Sequence, residues 1–143
     1  MAREDVWDRE RREAWERRHP NAFMDHNFVV IREIAEDRAV CELKMRPESR
    51  NPYGFCHGGA LYTIADDAAG VAAHTDGRSY VTQSSDLHFL SNMAYGTLTG
   101  TAKVRRRGQS TCLVAVDITG DDGKLLCTGT FVYFCVDQTV REY

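Results

Sequence analysis

The 143-residue chain has no long hydrophobic run: apolar stretches such as Phe131 to Val136 fall well short of the about 18 residues that a membrane-spanning helix needs. It also lacks the cysteine spacing of a disulfide framework or a zinc site. Its five cysteines, at 41, 56, 112, 127 and 135, are odd in number and include no C-x-x-C pair, so they read as reduced and structural. An excess of charge of one sign is missing as well. With 18 basic and 21 acidic side chains the net charge is −3, which offers nucleic acid no overall attraction and means that an anionic ligand must be held by a local basic patch. The opening MAREDVWDRERREAWERR mixes both signs without the apolar centre of a secretory signal, so a cytoplasmic location is expected. What is present, 43% apolar and 27% charged residues, is ordinary for one soluble globular domain.

Residues 3 to 18 hold six basic and six acidic side chains, with Val6, Trp7, Ala14 and Trp15 as the main apolar positions. The spacing predicts a peripheral amphipathic helix ended by His19-Pro20, and hence a division into an N-terminal helix over 1–19 and a main domain over 20–143. Phe28 to Ile34 and Ala39 to Met45 alternate with period two across Glu36-Asp37, the signature of an antiparallel hairpin. From Gly58 to about His74 the period changes, with Leu61, Ile64 or Ala65, Ala68 and Val71 or Ala72 on one helical stripe, and the many alanines would let a sheet pack close to that helix. Strand patterns return at Tyr80 to Leu90, Thr97 to Arg106, Thr111 to Thr119 and Leu125 to Val136, separated by turn residues at Arg107-Gly108-Gln109 and Gly120-Asp121-Asp122-Gly123. The order predicts an α+β domain, a curved antiparallel sheet around one buried helix.

Asn51 to Asp66, NPYGFCHGGALYTIAD, carries the chemistry. A Gly58-Gly59 pair at a helix start lets another molecule approach the backbone, and the first-turn N–H groups have no partner within the helix. Such donors, at the positive end of the helix dipole, suit a carbonyl oxygen that becomes negative during reaction. Asp66 follows nine residues after His57 as a candidate acid-base group or nucleophile. Asp67 is its rival, turned about 100° away, so only one of the two is expected to face a given groove.

The pattern N-x-x-G-x-x-H-G-G, from Asn51 through Gly54 to His57-Gly58-Gly59, followed by L-x-x-I-A-D ending at Asp66, resembles the PaaI-type hotdog-fold acyl-CoA thioesterases. Ser84-Ser85-Asp86-Leu87-His88-Phe89-Leu90 is similar to the family's strand after the helix, and the likeness covers roughly residues 20 to 137. The resemblance implies a hotdog fold and a dimer whose sheets join, commonly assembled into a tetramer, with active sites at the subunit interface. It implies hydrolysis of an acyl or aryl-acyl coenzyme A thioester without metal or organic cofactor. The Gly58 N–H would polarise the thioester oxygen, Asn51 and His57 would orient substrate or water, Asp66 would be general base or nucleophile, and Ser84 would help position water.

Lys103, Arg105, Arg106 and Arg107 form the one dense basic patch, and alternation puts Lys103, Arg105 and Arg107 on one face and Arg106 on the other. Arginine forks suit the phosphates of coenzyme A, so Arg105, Arg106 and Arg107, with Gly59, are the expected contacts to that part of the substrate. A Cys56-His57 thiol pair is disfavoured, because neighbours on a loop rarely orient as nucleophile and base. The other histidines have no metal-ligand spacing. Two rival functions are a noncatalytic acyl-CoA-binding hotdog protein, which would need neither Asp66 nor Asn51, and a hotdog enoyl-CoA hydratase, which would use an Asp/His pair placed differently.

Overall fold

The computed structural model describes residues 5–143. Of the helix expected over 3–18, residues 3 and 4 therefore lie outside the described residues; helix α1 spans Arg9–Arg18 and is capped by the Asp8 carboxylate, which accepts from the Arg11 N–H at 2.8 Å. A short helix absent from the sequence reading, α2 (Ala22–His26), follows, its first turn capped by Asn21. Strands β1 (Val29–Ala35) and β2 (Arg38–Lys44) make the expected hairpin, with Asp37 in the left-handed region (φ 59°) that aspartate tolerates.

After a single 3-10 turn at Pro47–Ser49 comes the long helix α3 (Gly58–Ala73), and then β3 (Ser79–Phe89), β4 (Thr97–Arg107), β5 (Thr111–Thr119) and β6 (Leu125–Asp137). The strands form one antiparallel sheet in the order β1-β2-β4-β5-β6-β3. Because α3 touches all six strands, the sheet curls around it without closing, leaving β1 and β3 as the two free edges.

Close approach is what small residues permit. Ala65, Ala68, Ala69, Ala72 and Ala73 are fully buried, and a Cβ on Gly100 of β4 would stand 3.2 Å from the Ile64 side chain, tighter than packing normally allows. Larger side chains fill the rest: Leu61, Ile64, Leu98, Ile118 and Phe131 are at most 1% exposed, each contributing about 1.5–3 kcal/mol by burial. Trp7 and Trp15 seat the N-terminal segment. Trp7 donates its N–H to Ile34 at 2.8 Å, and Trp15 stacks on His19, which meets His74 at the end of α3. No helix among the described residues is long and apolar enough to cross a membrane.

Candidate active site

The loop before α3 is held by its own polar groups. Asn51 Oδ1 accepts from the N–H groups of Tyr53 (2.9 Å) and Phe55 (3.1 Å), and Gly54 turns the chain at φ 85°. Cys56 N–H donates to Met93 and His57 N–H to Ser49, so the loop is fastened on both sides. His57 then caps the helix: its Nδ1 accepts from the Gly59 N–H at 2.8 Å, which places the ring proton on Nε2 and turns that nitrogen into an exposed donor. Gly58, the first helical residue, is exposed, and no acceptor among the described residues takes its N–H. Phe89 borders it, 3.8 Å from where a Cβ on Gly58 would stand.

Asp66 lies two turns further along α3. Its Oδ1 accepts from the Thr82 hydroxyl at 2.9 Å and from the Tyr133 hydroxyl at 2.6 Å. The carboxylate lines a cavity of about 830 Å³ in the gap between the free edges of the curled sheet. Residues of α3 form its floor, Ile31 and Val81 come from opposite edges, and Trp15 and Met24 close it from α1 and α2. Asp66 is eight positions beyond Gly58, about 12 Å of helix rise, so a carbonyl group held at the Gly58 N–H lies far along the helix from the carboxylate of the same chain.

A helix-start donor, a seated carboxylate and a hotdog topology narrow the family, and comparison decides it. Residues 53–127 match the family model of the thioesterase superfamily. The chain belongs to that superfamily. It is 31% identical over 97 residues to the acyl-coenzyme A thioesterase PaaI of Escherichia coli K12, spanning 67% of this chain and 69% of that one. The structure of E. coli PaaI superposes with a TM-score of 0.83 at 26% identity, over 92% of this chain and 99% of the other. A thioesterase protein of Streptococcus pneumoniae TIGR4, solved with coenzyme A, matches with a TM-score of 0.73 at 31% identity, covering 77% and 90%. The chain is thus a PaaI-type hotdog thioester hydrolase.

Within this thioesterase several expected residues take other places. Ser84 does not reach Asp66 in its own chain. A bulge between Thr82 and Ser84 sets Thr82 opposite Tyr133 but Ser84 opposite Val132, so Ser84 shares the sheet face of Val132, away from α3. Thr82 holds the place beside the carboxylate, and Ser85 returns to the helix side, where its hydroxyl meets that of Tyr62.

The same kind of shift, between Val104 and Arg106, turns Arg107 inward opposite the buried Cys112, not onto the face of Lys103. There Arg107 bonds Asp37 (2.8 Å), Asp76 (3.1 Å) and the Ala73 carbonyl (2.8 Å), closing the C-terminal end of α3; it is not a free phosphate ligand. Arg105 and Arg106 stay exposed. Gly59 has given its N–H to His57 and cannot offer it to coenzyme A. Cys56 is fully buried and its thiol is pushed up to about 11 by that burial, which removes it as a nucleophile.

Asp67 corrects a further expectation: it lines the same cavity as Asp66, because the floor is wide enough to take Asp66, Asp67, Gly70, Val71 and His74. Burial first, and then the charge of Asp66, raise its carboxyl to about 7 against a pull downward from Asn21, and its Oδ2 is buried with no partner among the described residues. Thr82 and Tyr133 were missed at the sequence level. Only the strand pairing, which puts β6 next to β3, identifies them.

Proposed function

We propose that the protein hydrolyses an acyl or aryl-acyl coenzyme A thioester to the free acid and coenzyme A, at a site shared by two copies of the chain. The observation that carries this reading is the placement of the free Gly58 N–H and of Asp66 eight positions apart on one helix, about 12 Å along its axis, beside a long uncovered edge strand. Pairing of β3 with β3 of a second copy would bring one chain's Gly58 toward the other chain's Asp66 and complete two equivalent sites.

In such a site the Gly58 N–H, backed by the helix dipole, donates to the developing oxyanion. The Nε2–H of His57 and the side-chain NH₂ of Asn51, whose oxygen is committed to the loop, orient substrate or water. Asp66 acts as general base toward water or attacks the thioester carbon directly, and Thr82 takes the positioning role first expected of Ser84. The cavity beside Asp66 receives the acyl group, and the exposed Arg105 and Arg106 contact the phosphates of coenzyme A. The likeness to a structure that holds coenzyme A supports this class of substrate.

Free-thiol release from a panel of aliphatic and aromatic acyl-CoA esters tests the reading. Wild type should turn over at least one ester, and Asp66→Ala should lower kcat by about 10²–10⁴. No turnover on any ester would refute the activity, and turnover that survives Asp66→Ala would refute the role of Asp66. Repeated cycles in ¹⁸O water test for the covalent route, since label in the Asp66 carboxylate marks a mixed anhydride opened by water at the aspartyl carbon.

A further inference from the structure

We infer that Tyr133 is a positioning residue for the hydrolysis: together with Thr82 it fastens one oxygen of Asp66, Oδ1, and so reserves Oδ2 for water or the thioester carbon. The inference rests on Asp66 being the reacting carboxylate.

The terminal torsion of an aspartate is broad and two-fold, so an unrestrained carboxylate presents either oxygen. Here two hydroxyl protons meet the same one, from Tyr133 at 2.6 Å and from Thr82 at 2.9 Å. The phenol also lies 2.7 Å from the Asp66 backbone carbonyl, but it has a single proton, and a carboxylate accepts more strongly than a neutral carbonyl. Tyr133 cannot swing away. Its ring is 2% exposed, stacked on Phe131 with centroids 6.4 Å apart, and faces Gly70, where a Cβ would stand 3.6 Å from the hydroxyl. Burial, then the charge of Asp66 and the hydrogen bond to it, push the phenol well above its ordinary range, so it stays a donor wherever the enzyme works. Both donors belong to neighbouring strands whose register fixes Thr82 directly opposite Tyr133. Restricting the carboxylate to one orientation is the kind of preorganisation that a reaction needs when atoms must meet within about 3–3.5 Å.

A buried tyrosine hydroxyl also needs a partner for folding alone, so the test must read something that a structural role leaves still. Tyr133→Phe keeps the ring and removes the donor; Thr82→Val does the same for the second donor. On the ester that wild type hydrolyses best, Tyr133→Phe should lower kcat about ten- to hundredfold with KM little changed. Thr82→Val should lower kcat in the same way, again with KM little changed, because either loss frees the carboxylate to turn without removing a contact to the ground-state substrate. A Tyr133→Phe enzyme that keeps the wild-type kcat, or whose loss falls on KM, overturns the inference whatever happens to its thermal midpoint. Asp66→Asn separates the two failures. If it keeps turning over, the reading of Asp66 fails and this inference with it. If it is inactive while Tyr133→Phe keeps the wild-type kcat, only the inference fails.

Discussion

Asp66 and Asp67 are neighbours on α3 and line one cavity, yet their surroundings differ. Asp66 has two hydroxyl donors, whereas Asp67 has one unpartnered buried oxygen and a hydrogen bond from Asn21. The difference has a measurable sign. In the folded chain Asp67 keeps its proton up to about pH 7, but unfolded it would release it near the ordinary 3.8. Between those values the unfolded state binds fewer protons, so the contribution of Asp67 to stability falls as pH rises from about 4 to 7. Asp67→Asn should therefore match wild type near pH 4 and exceed it by up to about 4 kcal/mol above pH 7. Urea denaturation at the two pH values checks this, and a mutant effect that is equal at both would contradict it.

Among elements, β-bulges decide which side chains face α3. The bulge in β4 delivers Arg107 to the C-terminal end of α3, between Asp37 and Asp76. Arg107→Met should cost about 2–4 kcal/mol in urea denaturation, because two partly buried carboxylates and the last carbonyls of α3 lose their cation. Arg105→Ala and Arg106→Ala should stay within about 0.5 kcal/mol of wild type. These elements also show what the sequence can disclose. The strand over Thr111–Thr119 and the helix starting at Gly58 were legible, since their periods of two and 3.6 are properties of a single segment. The sides taken by Ser84 and Arg107 were not. One inserted residue inverts every later side chain of a strand, and the insertion exists only relative to the partner strand. The candidates Asn51, His57, Gly58 and Asp66 could be named because their spacing along loop and helix is local, while Tyr133 stands 67 residues from the carboxylate it holds. The helix α2 was hidden by its length, five residues being too few to show a period.

For the whole molecule, the proposed division of the site between two copies predicts complementation. Gly58→Pro removes the proposed oxyanion donor at a first-turn position that accepts proline, preceded by His57 at ψ 136°, which suits a following proline. Alone, this variant and Asp66→Ala should each be nearly inactive. Refolded together in equal amounts, they should recover about a quarter of wild-type activity, because half of the dimers are mixed and each mixed dimer has one intact site. No recovery at all would place both groups in the same chain's site. The edge that makes such pairing possible, β3, has eleven residues with Val81 and Phe89 half exposed along it. Until it is covered, an uncapped strand of that length is a template for indiscriminate association. Dimerisation would then also protect the chain from aggregation, and variants that loosen the β3 pairing should leave the soluble fraction as well as the assay.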